Sequence, residues 1–271
     1  MTLNESWIAI DGAVKLHFPL RTHRLVAVFL LSTIALTGAA DPTSAAGKSE
    51  GANRSVNELI PWLLDEDRQL SGIPFTEVIL ATSGKRVLSF DAKSEIDQRA
   101  IRQISGVLDE VLKRMNEPDS AVQKVGRINE VSSHVENLLR ELLSAESGLS
   151  CDFPRTSEGR VQRSGYPDLR IVDTASQRIF YLDPKLYAAG SRESSFRTFY
   201  FEPKITTNKV TDDAVHLLAG FEHEPTGDRR WNFRRWDLVD LAHFKVRLKA
   251  EFQGSNRDIY RPEAIVATSA K

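Results

Sequence analysis

The chain holds little that would staple it or bias it electrostatically. One cysteine, Cys151, stands among 271 residues, which rules out an internal disulfide framework. Cys151 has no recognisable catalytic partner and reads as a small core residue. Basic and acidic residues nearly cancel, 36 against 37, for a formal net charge of −1. A uniformly basic nucleic-acid coat is thereby excluded, and any binding to phosphates has to come from local patches. Neither a G-x-x-x-x-G-K-[ST] phosphate loop nor a G-x-S-x-G nucleophile elbow occurs, which removes two common routes to phosphoryl and acyl chemistry. His216 and His223 are seven apart, and His223 alternates with Glu222 and Glu224 in a strand-like run. Their side chains fall on opposite faces, so no zinc set forms. What is present is ordinary for a globular protein: 41% hydrophobic and 27% charged residues, enough to build a core without staples.

The N-terminus has a different character. Arg21, His23 and Arg24 precede a twelve-residue, mostly apolar run from Leu25 to Leu36, and Gly38 and Ala40 sit ahead of Asp41. The run is short of the ~20 apolar residues a bilayer span wants, and its layout is that of a secretory signal peptide over residues 1–40. This reading predicts export, periplasmic or secreted, with no stable membrane insertion after cleavage; without a functional signal the protein would be cytoplasmic. Residues 41–54, small, polar and Gly/Pro-bearing, read as a linker.

Residues 55–120 read as a small α+β segment. A short amphipathic helix is expected from Val56 to Leu64, then a β-hairpin in "FTEVILATSGKRVLSFD" around its Ser-Gly pair. Apolar residues at 96, 100, 101, 104, 107, 108, 111 and 112 predict a helix over 94–115 with Ser94 as N-cap. A second helix is expected from about Arg127 to Ser147. The pattern then changes to strands: Tyr166–Val172, Arg178–Lys185, Thr198–Glu202, His216–Glu222 and Lys245–Phe252. The order predicts an α/β core over residues 121–265 behind the smaller segment.

"YPDLRIVDTASQRIFYLDPKLY", residues 166–187, carries the chemistry. Strand side chains alternate between faces, so Asp183 and Lys185 share one face of the second strand while Leu182, Pro184 and Leu186 share the other. Pairing the two strands brings Asp168 beside Asp183. Two carboxylates forced together repel, and a divalent cation relieves the repulsion; magnesium, a hard ion that takes oxygen ligands, suits them. Lys185 beside the pair would orient or deprotonate an attacking water, or balance charge on a phosphate.

"PD", fourteen intervening residues, then "DPK" resembles the signature of the PD-(D/E)XK nuclease superfamily, the fold of many restriction endonucleases. The resemblance covers about residues 124–252. It implies a restriction-endonuclease-like core, a central mixed sheet flanked by helices, and metal-dependent phosphodiester hydrolysis of nucleic acid, DNA more than RNA. It maps Asp168, Asp183 and Lys185 onto the motif and adds the Pro184 carbonyl as a further metal ligand. From the family's Gly-x-x-x-Glu helix start it makes Glu130 the helix carboxylate, with Glu136 second. A homodimer also fits the family.

Two other D/E-x-K triplets occur, "DAK" at 91–93 and "EPK" at 202–204, so the motif alone is a weak signal. Only "DPK" has the preceding helix, strand and Pro-Asp together. Residues 229–249 carry seven basic and two acidic residues. Arg229, Arg230, Arg234 and Arg235 there, with Arg197 nearer the motif, are candidate phosphate contacts. Trp231, Phe233 and Trp236 either stack bases or belong to the core. A non-catalytic member of the same fold that binds nucleic acid or a protein, and an unrelated α/β fold with an incidental acid pair, stand as alternatives.

Overall fold

The computed structural model describes residues 70–269 apart from 197, 205, 228, 229, 250 and 252, together with 58, 60 and 61. The expected signal peptide, the expected linker, nearly all of the helix expected over Val56–Leu64, and Arg197 and Arg229 lie outside the described residues. From residue 70 onward the described residues form, in chain order, β1 (Ile73–Pro74), α1 (Phe75–Ser83), β2 (Val87–Leu88), α2 (Glu95–Met115), α3 (Ile128–Ala145), β3 (Leu149–Asp152), β4 (Leu169–Asp173), β5 (Ile179–Ala188), β6 (Ala214–Pro225), β7 (Trp231–Asp240), β8 (Lys245–Val246) and α4 (Asn256–Ile259). No helix of the described residues is long and apolar enough to cross a membrane.

The two long helices form where their apolar spacing demands. Ser94 caps α2 by accepting a hydrogen bond from the Asp97 N–H, and Lys113 and Arg114 sit in its last turn, favourable to the helix dipole. Ala100, Ile104, Val107, Leu108, Val111 and Met115 make its buried stripe; Val131, Val135, Leu139 and Leu143 make that of α3. Both stripes pack on one face of a six-stranded mixed sheet, against Leu169, Ile171, Phe180, Leu182, Val215, Leu217, Ala219 and Phe221. The strand order is β2-β6-β5-β4-β3, and β7 also pairs with β6. β2 and β5 run parallel to β6; the other pairings are antiparallel. On the opposite face Phe75 and Ile79 of α1 meet Tyr166, Tyr181, Val210, Ala214 and Leu241. This mixed sheet flanked by helices is the restriction-endonuclease-like architecture. The described part of 55–120 is integral with it, because α2 shares the core and β2 extends the sheet.

Three local expectations are corrected. "FTEVILATS" is a helix, not half of a hairpin. Phe75 and Ile79, one turn apart, are both buried, and Gly84, at φ 69°, closes the helix with its N–H on the Leu80 carbonyl at 2.9 Å. The Ser-Gly pair is therefore a helix stop, since only glycine takes the left-handed cap without strain. Residues 198–202 form no strand, and of the strand expected over Lys245–Phe252 the described residues pair only at Lys245–Val246. Conversely β3 and β7 were not expected, because arginines interrupt the apolar alternation of β7.

Charges and amides tie the layers together. Asp97, 1% exposed, takes two hydrogen bonds from the Arg178 guanidinium at 3.0 and 2.9 Å, which fastens α2 to the start of β5. Along the free edge of β7 the side chains of Asn116 and Gln123 imitate a neighbouring strand. Asn116 exchanges bonds with the Phe233 N–H and carbonyl at 2.9 and 2.8 Å, and Gln123 does so with Trp231 at 3.0 and 2.8 Å.

Candidate active site

The turn between β4 and β5 sets the register. The Asp173 N–H bonds to the Arg178 carbonyl at 2.9 Å, the Gln177 N–H bonds to the Asp173 carbonyl at 2.8 Å, and the Asp173 side chain accepts from Ser176. Leu169 then faces Leu182, and the next position out places Asp168 opposite Asp183. Beyond that point β4 stops pairing while β5 continues along β6 to Ala188. A cavity of about 350 Å³ opens there, lined by Asp168, Pro184, Lys185, Glu136, Arg163 and Ser132 among others.

Lys185 stands between the two carboxylates, its Nζ 2.5 Å from Asp183 Oδ2 and 3.7 Å from Asp168 Oδ2. Asp183 is 2% exposed, and its Oδ2 has this ion pair but no well-directed hydrogen bond among the described residues. Burial first, then the negative charge of Asp183, pushes the Asp168 carboxyl up to about 8. Burial opposes the charge of Lys185, but Asp183 and Asp168 outweigh it, and its pKa lies above the ordinary lysine value. Without a cation the site therefore consists of a carboxyl that keeps its proton, a neighbouring aspartate, and an ammonium bridging them.

The other candidates separate. Glu130, in the first turn of α3, is exposed and does not line the cavity. Glu136 does, and its charge acts on both Asp168 and Lys185. Six residues along a helix turn the side chain by about 120° from its starting direction, so the two glutamates cannot serve one site. Glu136 is held by Arg163 at 3.1 Å, whose guanidinium lies 4.3 Å from the centre of the Phe153 ring. Pro184 lines the cavity beside Lys185.

Two groups that no motif announces also surround the pair. Tyr166 shares a 2.7 Å hydrogen bond with the buried His216 Nδ1, and burial pushes that histidine down to about 3, so the ring stays neutral. Lys209, in the loop before β6, is almost wholly buried, and its charge interacts with Asp168, Asp183 and Glu136. Only its placement in three dimensions reveals it; "TTNKVTDD" has no recognisable pattern.

Among the described residues no three Asp, Glu, His or Cys side chains converge into a ready metal cage. The donors present still fit a hard cation: two register-paired carboxylates, one with a buried oxygen that lacks a directed hydrogen bond, beside a cavity that admits water. Such an ion completes its shell with main-chain oxygen and solvent.

Comparison with known proteins is decisive for the family. The sequence model of the type II restriction enzyme MjaV family matches residues 69–263. The chain belongs to that family. A curated relative, the type II restriction enzyme MjaV of Methanocaldococcus jannaschii, is 28% identical over 225 residues, covering 79% of this chain and 96% of that protein. Membership of the MjaV family places the chain within the PD-(D/E)XK superfamily of endonucleases.

In this MjaV-family chain the basic residues of β7 are partly engaged. Arg235 bonds Asp237 at 2.7 Å, and Arg234 reaches Glu224 at 3.4 Å. The pairings Lys185↔Gly220 and Gly220↔Asp237 set Asp237 level with Lys185 two strands away, roughly 10 Å, and Arg235 lies two residues further along β7 on the same sheet face. Trp231 donates to the Val125 carbonyl at 3.0 Å and Trp236 to Asp109 at 2.8 Å. Both rings are tied to the helical layer rather than free to stack on bases. Arg230 lines a second, smaller cavity with Asn116 and Gln123.

Proposed function

We propose that this protein is a DNA endonuclease whose hydrolytic centre is Asp168, Asp183 and Lys185, with Glu136 at its rim and a divalent cation, magnesium by its preference for hard oxygen donors, held by the two aspartates. The observation that carries the assignment is the register that sets Asp168 against Asp183, with the Lys185 ammonium 2.5 and 3.7 Å from their oxygens. Burial places this charge cluster in a medium where each interaction is worth more than in water.

When bound, the cation would polarise a phosphoryl oxygen and ease deprotonation of the attacking water. The chain's own groups do the rest. Lys185, carrying its proton, donates from Nζ to the attacking water or to a non-bridging phosphate oxygen and so orients the attack in line with the leaving oxygen. Arg163, spread over the Phe153 ring at the mouth of the cavity, offers a flat cationic fork to the phosphate backbone. Arg235 extends the positive surface along the same sheet face.

The test is cleavage of supercoiled plasmid and linear DNA in magnesium, manganese or EDTA, with Asp183→Ala and Lys185→Ala alongside. Cation-dependent cleavage lost in both variants, with circular dichroism unchanged, is the expected result. Cation-dependent cleavage that survives in either variant would overturn the site assignment.

A further inference from the structure

Lys209 is the only lysine among the described buried polar residues, at 1% exposure. Its Nζ finds no hydrogen-bond partner among the described residues. A buried ammonium without partners opposes folding, so a lysine that served packing alone would be better replaced by an apolar side chain.

The surrounding chain fixes Lys209 in place. Asn208 donates to the Thr82 carbonyl at 3.1 Å and accepts from the Ser157 N–H at 3.2 Å. The Tyr181 hydroxyl donates to Asp212 at 2.7 Å and approaches the Lys209 carbonyl at 3.5 Å. Arg170 grips Asp212 with two bonds, at 2.8 and 3.0 Å. Tyr181 stands two residues before Asp183 on the same face of β5, so the loop crosses the face that carries the aspartate. Burial draws the Lys209 pKa below the ordinary lysine value; the charges of Asp168, Asp183 and Glu136 oppose that shift and so hold the proton on, while Lys185 adds to it. Two lysines thus confront two aspartates, one bridging them from the cavity side and one facing them from the interior.

We propose that Lys209 is a positioning residue: a built-in cation that faces Asp168 and Asp183 from the interior, balances their charge, and weakens the binding of a divalent metal there. The proposal rests on the reading of the two aspartates as metal ligands. A fixed positive charge opposes a doubly charged ion more strongly than it opposes a proton, and more strongly in a desolvated site than in water. Removing it tightens metal binding by about tenfold or more, and a lysine with a purely structural role would leave that affinity unmoved.

The experiment measures Mn²⁺ binding to the full chain without DNA, by electron paramagnetic resonance of the free ion. The proteins compared are wild type, Lys209→Met, Lys209→Gln, Lys209→Arg and Asp183→Asn. Tighter binding in the Met and Gln variants, with wild-type affinity in the Arg variant, is the expected result. Unchanged or weaker binding in the Met and Gln variants, while Asp183→Asn abolishes it, overturns the role of Lys209 and leaves the metal site standing. Wild-type binding by Asp183→Asn removes the metal site itself, and this proposal with it. The Gln variant keeps a polar head at the position and carries the same test should the Met variant fail to fold.

Discussion

Adding a divalent cation to the metal-free protein should expel a proton, and the amount follows from Asp168. Burial, reinforced by Asp183, pushes its carboxyl up to about 8. At pH 7, one unit below that value, about 90% of the molecules hold the proton, and a metal ligand has to be ionised. Binding should then release about 0.9 proton per ion at pH 7, about 0.5 at pH 8 and about 0.1 at pH 9. Apparent affinity should rise close to tenfold between pH 6 and 7. Calorimetric titration with Mn²⁺ in two buffers of different ionisation enthalpy reads the proton count directly, and Asp168→Asn supplies the control. The same shift has a sign for stability. A carboxyl raised in the folded state contributes fully below its ordinary value of 3.8, and that contribution is lost as the pH climbs through about 8. The metal-free protein should therefore melt lower at pH 8 than at pH 5 as far as this group is concerned, and bound cation should reverse the trend. Release of under about 0.2 proton at pH 7, or release that persists in Asp168→Asn, would refute the reasoning.

Glu136→Gln should slow cleavage at saturating metal, whereas Glu130→Gln should behave as wild type in the same kinetic assay; equal effects would mean that the helix carboxylate has been misplaced. Arg178→Ala strands Asp97 in the interior and should cost about 3 kcal/mol in denaturant unfolding, a loss that Asp97→Asn in the same background should partly restore. Arg235→Ala should weaken DNA binding alike across sequences and lower the slope of log affinity against log salt by about one; an unchanged slope would take Arg235 out of the DNA interface.

Much of this was legible in the residues, for identifiable reasons. The stripe over 96–112 and the Ser94 cap define α2 because helix periodicity and cap chemistry are local. Asp168, Asp183 and Lys185 meet because pairing "YPDLRIV" with "RIFYLDPK" leaves little choice of register once the apolar positions go to one face. Phe75–Ser83 deceived because its run of Val78, Ile79 and Leu80 suits a strand as well as a helix, and the arbiter was a glycine cap 2.9 Å from the Leu80 carbonyl. Glu130 fitted a spacing rule, yet α3 turns that side chain to solvent and presents Glu136 instead. Lys209 was out of reach of any local rule, since its loop meets the sheet face of Asp183 only in three dimensions, with its carbonyl 3.5 Å from the Tyr181 hydroxyl.

The amide pairing along β7 limits how this molecule can associate. A sheet grows when a foreign strand finds vacant rungs on an edge, and at Trp231 and Phe233 those rungs are already taken by the chain's own Gln123 and Asn116. A strand of a second copy approaching β7 there would have to displace the chain's own amides before it could pair.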